Sequence, residues 1–195
     1  MIRNVSDSQT DILRDILDLH LPGQATFDLD PCYGPGSFYK YGTVPIPRHC
    51  WDVLPQAEHV EARNVLSLKD GGERYASIIF DPPFLHAHGK NSAVGNRYQS
   101  YANQKALWAF YVEALHAMRE ALVPGGILVW KCQDIVESGK QVWNHCKIWE
   151  LCRDNGMYPM DLFVLVARNR IVGHNHKKQQ HARKFTAYFW VFKKT

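Results

Sequence analysis

The sequence lacks closely spaced pairs of cysteines, and this absence argues against folds that are stabilised by disulfides or by a structural zinc ion. Its five cysteines are scattered and include no CxxC pair: Cys32, Cys50, Cys132, Cys146 and Cys152. This spacing argues against a disulfide framework and a structural zinc site, and it predicts reduced thiols in a cytoplasmic protein. His174, His176 and His181 have no neighbouring Cys or carboxylate, so we expect no metal there either.

Long apolar runs are also missing. The longest span only a few residues, and no apolar segment follows a basic N-terminal start. We therefore expect neither a membrane span nor a secretory signal. A length of 195 residues, with 46% hydrophobic and 22% charged residues, is typical of a globular chain with a sizeable core, so we expect one domain over residues 1–195.

Acidic residues are absent from the C-terminal part. No Asp or Glu occurs between Leu162 and Thr195, whereas the same span contains the basic residues Arg168, Arg170, Lys177, Lys178, Arg183, Lys184, Lys193 and Lys194. A polyanionic partner would explain this asymmetry, and a solvated loop is the alternative.

Hydrophobic periodicity predicts alternating strands and helices. We expect helices over Ser6–Leu19, Ala102–Leu122 and Gln141–Asn155, and strands over Ala25–Leu29, Val44–Asp52, Ser77–Phe80, Ile127–Lys131, Leu162–Ala167 and Phe185–Phe192. This order predicts an α/β protein with a mostly parallel sheet. The last two strands have no helix between them and predict an antiparallel end to that sheet.

The most informative segment is SIIFDPPF, at Ser77–Phe84. A buried strand runs directly into Asp81, two prolines and the ring of Phe84. Proline fixes its own φ and restricts the preceding residue, so Asp81 and the Pro82 carbonyl are held nearly rigid. Two acceptors and a flat ring at a strand end suit a planar ligand that carries an amine, such as a nucleobase. A simple proline strand terminator is the alternative.

Two further patterns follow the earlier predicted strands, where ligands bind in open α/β sheets. The first is DPCYGPGSF at Asp30–Phe38, in which two glycines allow a ligand to approach the backbone closely. The second is Asp52, about 20 residues further on, which is suited to accept hydrogen bonds from the ribose hydroxyls of an adenosine. A plain loop and a surface carboxylate are the respective alternatives.

The order of glycine loop, acid, DPPF and PGG-strand resembles class I, Rossmann-like methyltransferases of the Asp-Pro-Pro-aromatic type, which methylate exocyclic amines of bases. The resemblance covers about Asp11–Lys194 and is closest to small phage and bacterial DNA methyltransferase-like proteins. It implies helices on both faces of the sheet and S-adenosylmethionine as the cofactor. It assigns cofactor contacts to Asp30, Pro31, Tyr33, Gly34, Gly36, Phe38, Asp52, Asn64 and Val65. The catalytic turn it implies is Asp81, Pro82, Pro83 and Phe84.

The sequence departs from this family at two residues and in its organisation. Pro35 lies between the two glycines, where many relatives have a small polar residue. Phe84 replaces the tyrosine usual in adenine-N6 enzymes, and a phenylalanine here also occurs in RNA guanine-N2 methyltransferases. We expect no separate target-recognition domain within residues 1–195, and therefore no autonomous sequence specificity.

The resemblance and the basic segments together predict a nucleic-acid substrate. We expect adenine N6 in DNA first, with an RNA base methyltransferase or a non-catalytic binding subunit as alternatives. Two loops, Leu85–Asn103 and Arg168–Lys184, are predicted to hold the polynucleotide. The contacts predicted there are His86, Lys90, Arg97, Arg168, Arg170, Lys177, Lys178, Arg183 and Lys184. Lys131, Gln133 and Asp134 either face the same pocket or form a structural ion pair, and a homodimer or a specificity partner is left open.

Overall fold

The computed structural model describes residues 1–40, 42–84, 101–168 and 180–195. Its strands are β1 (Val5–Ser6), β2 (Leu29–Asp30), β3 (His49–Asp52), β4 (Glu61–Ala62), β5 (Tyr75–Phe80), β6 (Leu122–Cys132), β7 (Ile135–Glu137), β8 (Lys140–Val142), β9 (Met157–Val166) and β10 (Thr186–Lys194). Its helices are α1 (Gln9–His20), α2 (Gln104–Ala121) and α3 (Asn144–Asp154), with a 3-10 helix at Val65–Asp70. Within these ranges, no helix is both long and apolar enough to cross a membrane.

An eight-stranded sheet in the order β1-β9-β10-β6-β5-β2-β3-β4 forms the centre of the protein. All of its neighbouring strands are parallel except at β10, which runs antiparallel to both β6 and β9. The predicted α/β fold, with a mostly parallel sheet and an antiparallel C-terminal strand, is therefore confirmed. β7 and β8 form a separate hairpin.

The helices cover both faces of the sheet, because alternate residues of each strand point to opposite sides. On one face, Ile78 of β5 and Leu128 of β6 share a buried cluster with α2 and α3. On the other face, Ile79 and Val129 pack with α1, whose Ile12 and Ile16 are fully buried.

Several predicted elements are displaced, and for three of them the local reason is clear. The strand predicted at Ala25–Leu29 is instead Leu29–Asp30, because the Asp28 carboxylate accepts the backbone N–H groups of Ala76 at 2.7 Å and Ser77 at 3.3 Å in place of a ladder bond. The second strand starts at His49, since proline lacks the N–H that a ladder needs. The helix predicted at Gln141–Asn155 starts at Asn144, because Ser138 and Gly139 have positive φ and close the β7–β8 hairpin.

The PGG segment also differs from the prediction. Pro124–Gly126 does not lie between α2 and a strand but inside β6. The register between β5 and β6 shifts there, from Tyr75 opposite Leu122 to Ser77 opposite Ile127, which absorbs the extra residues as a bulge.

Candidate active site

The chain order of the strands reverses at β2, which lies between β3 and β5. In open α/β sheets such a reversal leaves a crevice outside the carboxyl ends of the strands. The glycine loop, Asp52 and the DPPF turn follow β2, β3 and β5 respectively. The fold therefore brings all three sequence patterns to one edge of the sheet.

The glycine loop is stabilised by Asp30, whose side chain is only 1% exposed. One carboxylate oxygen accepts the Cys32 N–H at 3.0 Å, and the other accepts the Tyr39 hydroxyl at 2.8 Å. Burial raises the pKa of Asp30 from 3.8 to about 7, assisted by the nearby carboxylates of Asp81 and Asp52, although the two hydrogen bonds oppose the rise. Asp30 is thus a strongly perturbed carboxyl group directly beneath the loop.

The two glycines of this loop adopt the left-handed conformation predicted from their spacing. The φ angles of Gly34 and Gly36 are 54° and 68°. A Cβ atom at Gly36 would lie 2.8 Å from the Tyr33 ring, so the loop can close against Tyr33 only with glycine there. The Tyr33 ring stacks on Tyr39 with centroids 5.3 Å apart.

Asp52 joins the loop to β3. Its carboxylate accepts the Gly34 N–H at 2.7 Å and the Leu54 N–H at 2.8 Å. A carboxylate has about four lone-pair sites, so these two bonds leave capacity for a ligand. Asn64 follows β4 and caps the 3-10 helix by accepting the Leu66 N–H at 2.9 Å.

These elements line a first cleft, which encloses about 440 Å³ of space, part of it open to solvent. Its lining is Pro31, Cys32, Asp52, Val53, Asn64, Val65, Asp81, Pro83, Tyr101 and Phe110. The structure therefore brings together Pro31, Asp52, Asn64 and Val65 among the predicted cofactor residues. The lining does not include Asp30, Tyr33, Gly34, Gly36 or Phe38, which shape the loop behind it.

The DPPF turn is held from two sides. Lys131, at the end of β6, places its ammonium nitrogen 2.9 Å from Asp81 Oδ2 and 4.9 Å from the centre of the Phe38 ring. Tyr111 of α2 donates its hydroxyl to the Pro83 carbonyl at 2.6 Å. The Asp81 carboxylate is thereby oriented by an ion pair, while the turn behind it is tied to a buried helix.

A second cleft lies on the other side of Asp81 and encloses about 510 Å³, again partly open to solvent. Its lining is Asp81, Phe84, Lys131, Cys132, Gln133, Leu165, Ala167, Phe185 and Ala187. Lys131 and Gln133 face this cleft, as one of the two sequence readings proposed. Asp134 does not line it, and the alternative ion pair with Lys131 is not formed, because Asp134 contacts His145 at 2.8 Å.

The structure describes only some of the residues predicted to contact nucleic acid. His86, Lys90, Arg97, Arg170, Lys177 and Lys178 lie outside the described residues. Arg168 forms an ion pair with Asp7, Arg183 is exposed, and the Lys184 ammonium lies 4.2 Å from the centre of the exposed Trp143 ring. Lys184 directly precedes Phe185, which lines the second cleft.

Two contributors were missed as site residues. Tyr111 lies in the helix predicted over Ala102–Leu122 and had no predicted site role, yet its hydroxyl holds the DPPF turn. A buried tyrosine hydroxyl needs a hydrogen-bond partner, and this was the available signal. Tyr101 was placed in a polynucleotide loop but lines the first cleft. Its hydroxyl is buried and has no hydrogen-bond partner within the described parts of the chain.

No protein-family model matches the sequence, and no curated protein matches it. Solved structures do share its fold. The 1,6-didemethyltoxoflavin-N1-methyltransferase of Burkholderia thailandensis, with 1,6-didemethyltoxoflavin and S-adenosylhomocysteine bound, superimposes with a TM-score of 0.61 at 15% identity, over 97% of this chain and 80% of that chain.

Two further structures agree. The N-methyltransferase NodS of Bradyrhizobium japonicum WM9 gives a TM-score of 0.55 at 14% identity over 93% of both chains, and it has also been solved with S-adenosylhomocysteine. TrmN of Thermus thermophilus gives 0.56 at 13% identity over 95% of this chain and 49% of that one, so this chain spans about half of TrmN. The protein therefore has the Rossmann-like fold that these methyltransferases share.

Proposed function

We propose that this protein is a methyltransferase that transfers a methyl group from S-adenosylmethionine to an exocyclic amine of a nucleic-acid base, with adenine N6 in DNA as the first substrate to test. One observation carries the proposal: among the described residues, Asp81 is the one that lines both clefts. A transfer between two bound molecules requires a donor site and an acceptor site that meet at the reacting group.

The first cleft fits the cofactor. Asp52 offers carboxylate acceptors for ribose hydroxyls, and Asn64 and Val65 line the same cleft. The buried Tyr101 hydroxyl is available to form a hydrogen bond with a ligand. Two of the structures that share this fold contain S-adenosylhomocysteine. When bound, S-adenosylmethionine supplies a methyl group already activated on sulfonium, so no metal is required for the transfer.

The residues of the DPPF turn would orient the target amine. Lys131 occupies Asp81 Oδ2, and within the described residues no hydrogen bond is made to Oδ1. Oδ1 and the Pro82 carbonyl would accept hydrogen bonds from the amine, which directs the nitrogen lone pair toward the methyl group and favours the charge that develops on nitrogen. Tyr111 holds the adjacent Pro83 carbonyl, so the turn is set before the base arrives.

The second cleft provides flat apolar surfaces for a base. Phe84 and Phe185 both line it, and base–aromatic stacking is worth about 1–3 kcal/mol. A stacked base inside a duplex cannot reach Asp81, so the target would be flipped out or taken from a single strand. Arg183 and Lys184, next to Phe185 in the sequence, would contact the flanking phosphates.

A second candidate is the methylation of a free nitrogen heterocycle. It is favoured by the fold shared over 97% of this chain with an N1-methyltransferase that was solved with 1,6-didemethyltoxoflavin bound. The acceptor cleft is the same in both proposals. They differ in whether the flanking phosphates contribute to binding, which an experiment can separate.

The test is methyl transfer from labelled S-adenosylmethionine to unmethylated DNA and, in parallel, to total RNA and to free adenosine, followed by nucleoside digestion and mass spectrometry. Label in N6-methyladenine from DNA is the expected result. Label in RNA alone would replace DNA by RNA as the substrate, and label in the free nucleoside alone would favour the second candidate. Cofactor binding without any label would favour a non-catalytic subunit.

Asp81→Ala tests the role of the turn in the same assay. We expect turnover to be lost while the affinity for the cofactor, measured by titration calorimetry, is largely retained. Asp154→Ala is the matched control, because it removes an exposed carboxylate at the end of α3. Turnover retained by Asp81→Ala would remove this carboxylate from the mechanism.

A further inference from the structure

A second cluster of reactive side chains lies at the start of α3, and the proposed methyl transfer does not use it. Cys146 is exposed, and its sulfur lies 3.3 Å from His145 Nε2. The other ring nitrogen of His145, Nδ1, lies 2.8 Å from Asp134 Oδ1. The Asp134 side chain is fully buried, whereas that of His145 is 21% exposed.

The hydrogen bonds of Asp134 fix the roles of the two ring nitrogens. Asp134 Oδ1 also accepts the backbone N–H of His145 at 3.2 Å. An ionised carboxylate can only accept, so Nδ1 carries the proton of the neutral imidazole and Nε2 presents its lone pair to the Cys146 thiol. The ring is further held by stacking on Tyr188, with centroids 4.3 Å apart and an interplanar angle of 18°.

We propose that Cys146 is a nucleophilic thiol with His145 as its base and Asp134 as the group that orients the base, and that this site reacts with low-molecular-weight disulfides. A nucleophile, a base within reach and a third group that holds the base form the arrangement that activates side-chain nucleophiles. Within the described residues, no group of His, Cys, Asp and Glu is arranged to hold a metal ion, so the cluster is not a metal site.

The proposed step exchanges one disulfide for another without net oxidation. The Cys146 thiol gives its proton to His145 Nε2, and the thiolate sulfur bonds to one sulfur of the small disulfide. The S–S bond of that disulfide breaks, and its second sulfur leaves as a thiolate that takes the proton back from His145. The products are a mixed disulfide at Cys146 and one free small thiol.

The surroundings make this reactivity specific to Cys146. Cys50, Cys132 and Cys152 are buried, and Cys32, in the glycine loop, is half-buried. Desolvation and the carboxylates of Asp134 and Glu150 raise the pKa of the Cys146 thiol. An exposed Cys146 without a base would therefore react slowly at neutral pH, because little thiolate would be present, and fast reaction depends on proton transfer to His145.

The experiment uses the folded full chain and 5,5′-dithiobis(2-nitrobenzoate), whose released thiol is followed by absorbance. We expect one thiol per chain to react in a fast phase, which peptide mass spectrometry maps to Cys146 and Cys146→Ser removes. His145→Gln keeps a polar side chain of similar length but has no basic nitrogen, so we expect it to slow the fast phase about 100-fold. Added imidazole should restore much of the rate.

Thermal unfolding and circular dichroism of each variant separate loss of the base from loss of structure. If His145→Gln is unstable, imidazole rescue of His145→Ala provides the same test. A fast phase that maps to another cysteine, or a rate that is unchanged in a folded His145 variant, would show that Cys146 is an ordinary exposed thiol. Neither result depends on whether the protein transfers methyl groups.

Discussion

Asp30 makes the folded protein sensitive to pH, and Asp30→Asn tests why. The carboxyl group is buried, with a pKa of about 7 in the folded protein and 3.8 when free. An amide at this position keeps an oxygen for the Cys32 N–H and can donate to the Tyr39 hydroxyl, so the variant preserves the local geometry. It removes only the negative charge that burial opposes.

The magnitude follows from the two pKa values. The folded state holds its proton more tightly than the unfolded state, so stability is greatest below pH 3.8 and falls as the pH rises through 7. Relative to its value below pH 3.8, the free energy of unfolding is lowered by about 1.5 kcal/mol at pH 5 and by about 4 kcal/mol at pH 8, which is the cost of ionising the buried Asp30. Asp30→Asn does not bear this cost, so its advantage over the wild type should grow by about 2.5 kcal/mol between the two pH values.

Thermal unfolding of both proteins at pH 5 and pH 8 measures this growth. For a chain of this size, about 2.5 kcal/mol corresponds to a change of about 5–10 °C in the difference between their midpoints. The other titrating groups are common to both proteins and cancel in the comparison. Asp18→Asn, which removes an exposed carboxylate from α1, controls for the loss of one charge. A difference that does not change with pH would refute the assignment of the raised pKa to Asp30.

Three further predictions concern the Lys131–Asp81 ion pair, the DPPF turn and the basic segment near the C-terminus. Lys131→Met should lower kcat up to about 100-fold, with a smaller effect on cofactor affinity, because Asp81 loses the partner that orients it. Lys131→Arg should retain much of the rate. Equal steady-state kinetics for the wild type and both variants would show that the ion pair is only structural. Tyr111→Phe should lower the free energy of unfolding by about 1 kcal/mol and the thermal midpoint by about 2–4 °C, because it removes the 2.6 Å hydrogen bond to the DPPF turn. An unchanged midpoint would contradict this. Replacing Lys177 and Lys178 with Ala should weaken DNA binding and reduce the slope of log affinity against log salt by about 2, and an unchanged slope would favour a solvated loop.

Much of the fold could be predicted because its signals are local. The buried strand before Asp81 and the apolar face of α2 follow from periodicity, and the antiparallel end follows from two strands with no helix between them. The errors arose from features that periodicity does not report: a side chain that replaces a backbone partner, prolines, positive φ angles and a bulge. Asp28 takes over ladder bonds beside β2, and nothing in the hydrophobic pattern distinguishes that carboxylate from an ordinary surface one.

The site was predictable in position but not in its contacts. Strand ends that carry Asp52 and Asp81 indicate one edge of a parallel sheet, and the structure brings them to one cleft. The pairing of Lys131 with Asp81 joins residues 50 positions apart on neighbouring strands. Such a contact depends on strand order and register, which a single sequence does not encode locally.

The place of β10 in the sheet has a consequence for how the chain is made. β10 follows the other described strands of the sheet in the sequence, yet it lies between β6 and β9, and β1 pairs with the sheet through β9. A nascent chain that has emerged as far as β9 therefore contains two blocks of strands, β1 with β9 and β6-β5-β2-β3-β4, without the strand that joins them. Both blocks keep open edges until Thr186–Lys194 has left the ribosome, so the sheet can be completed only after this segment has emerged.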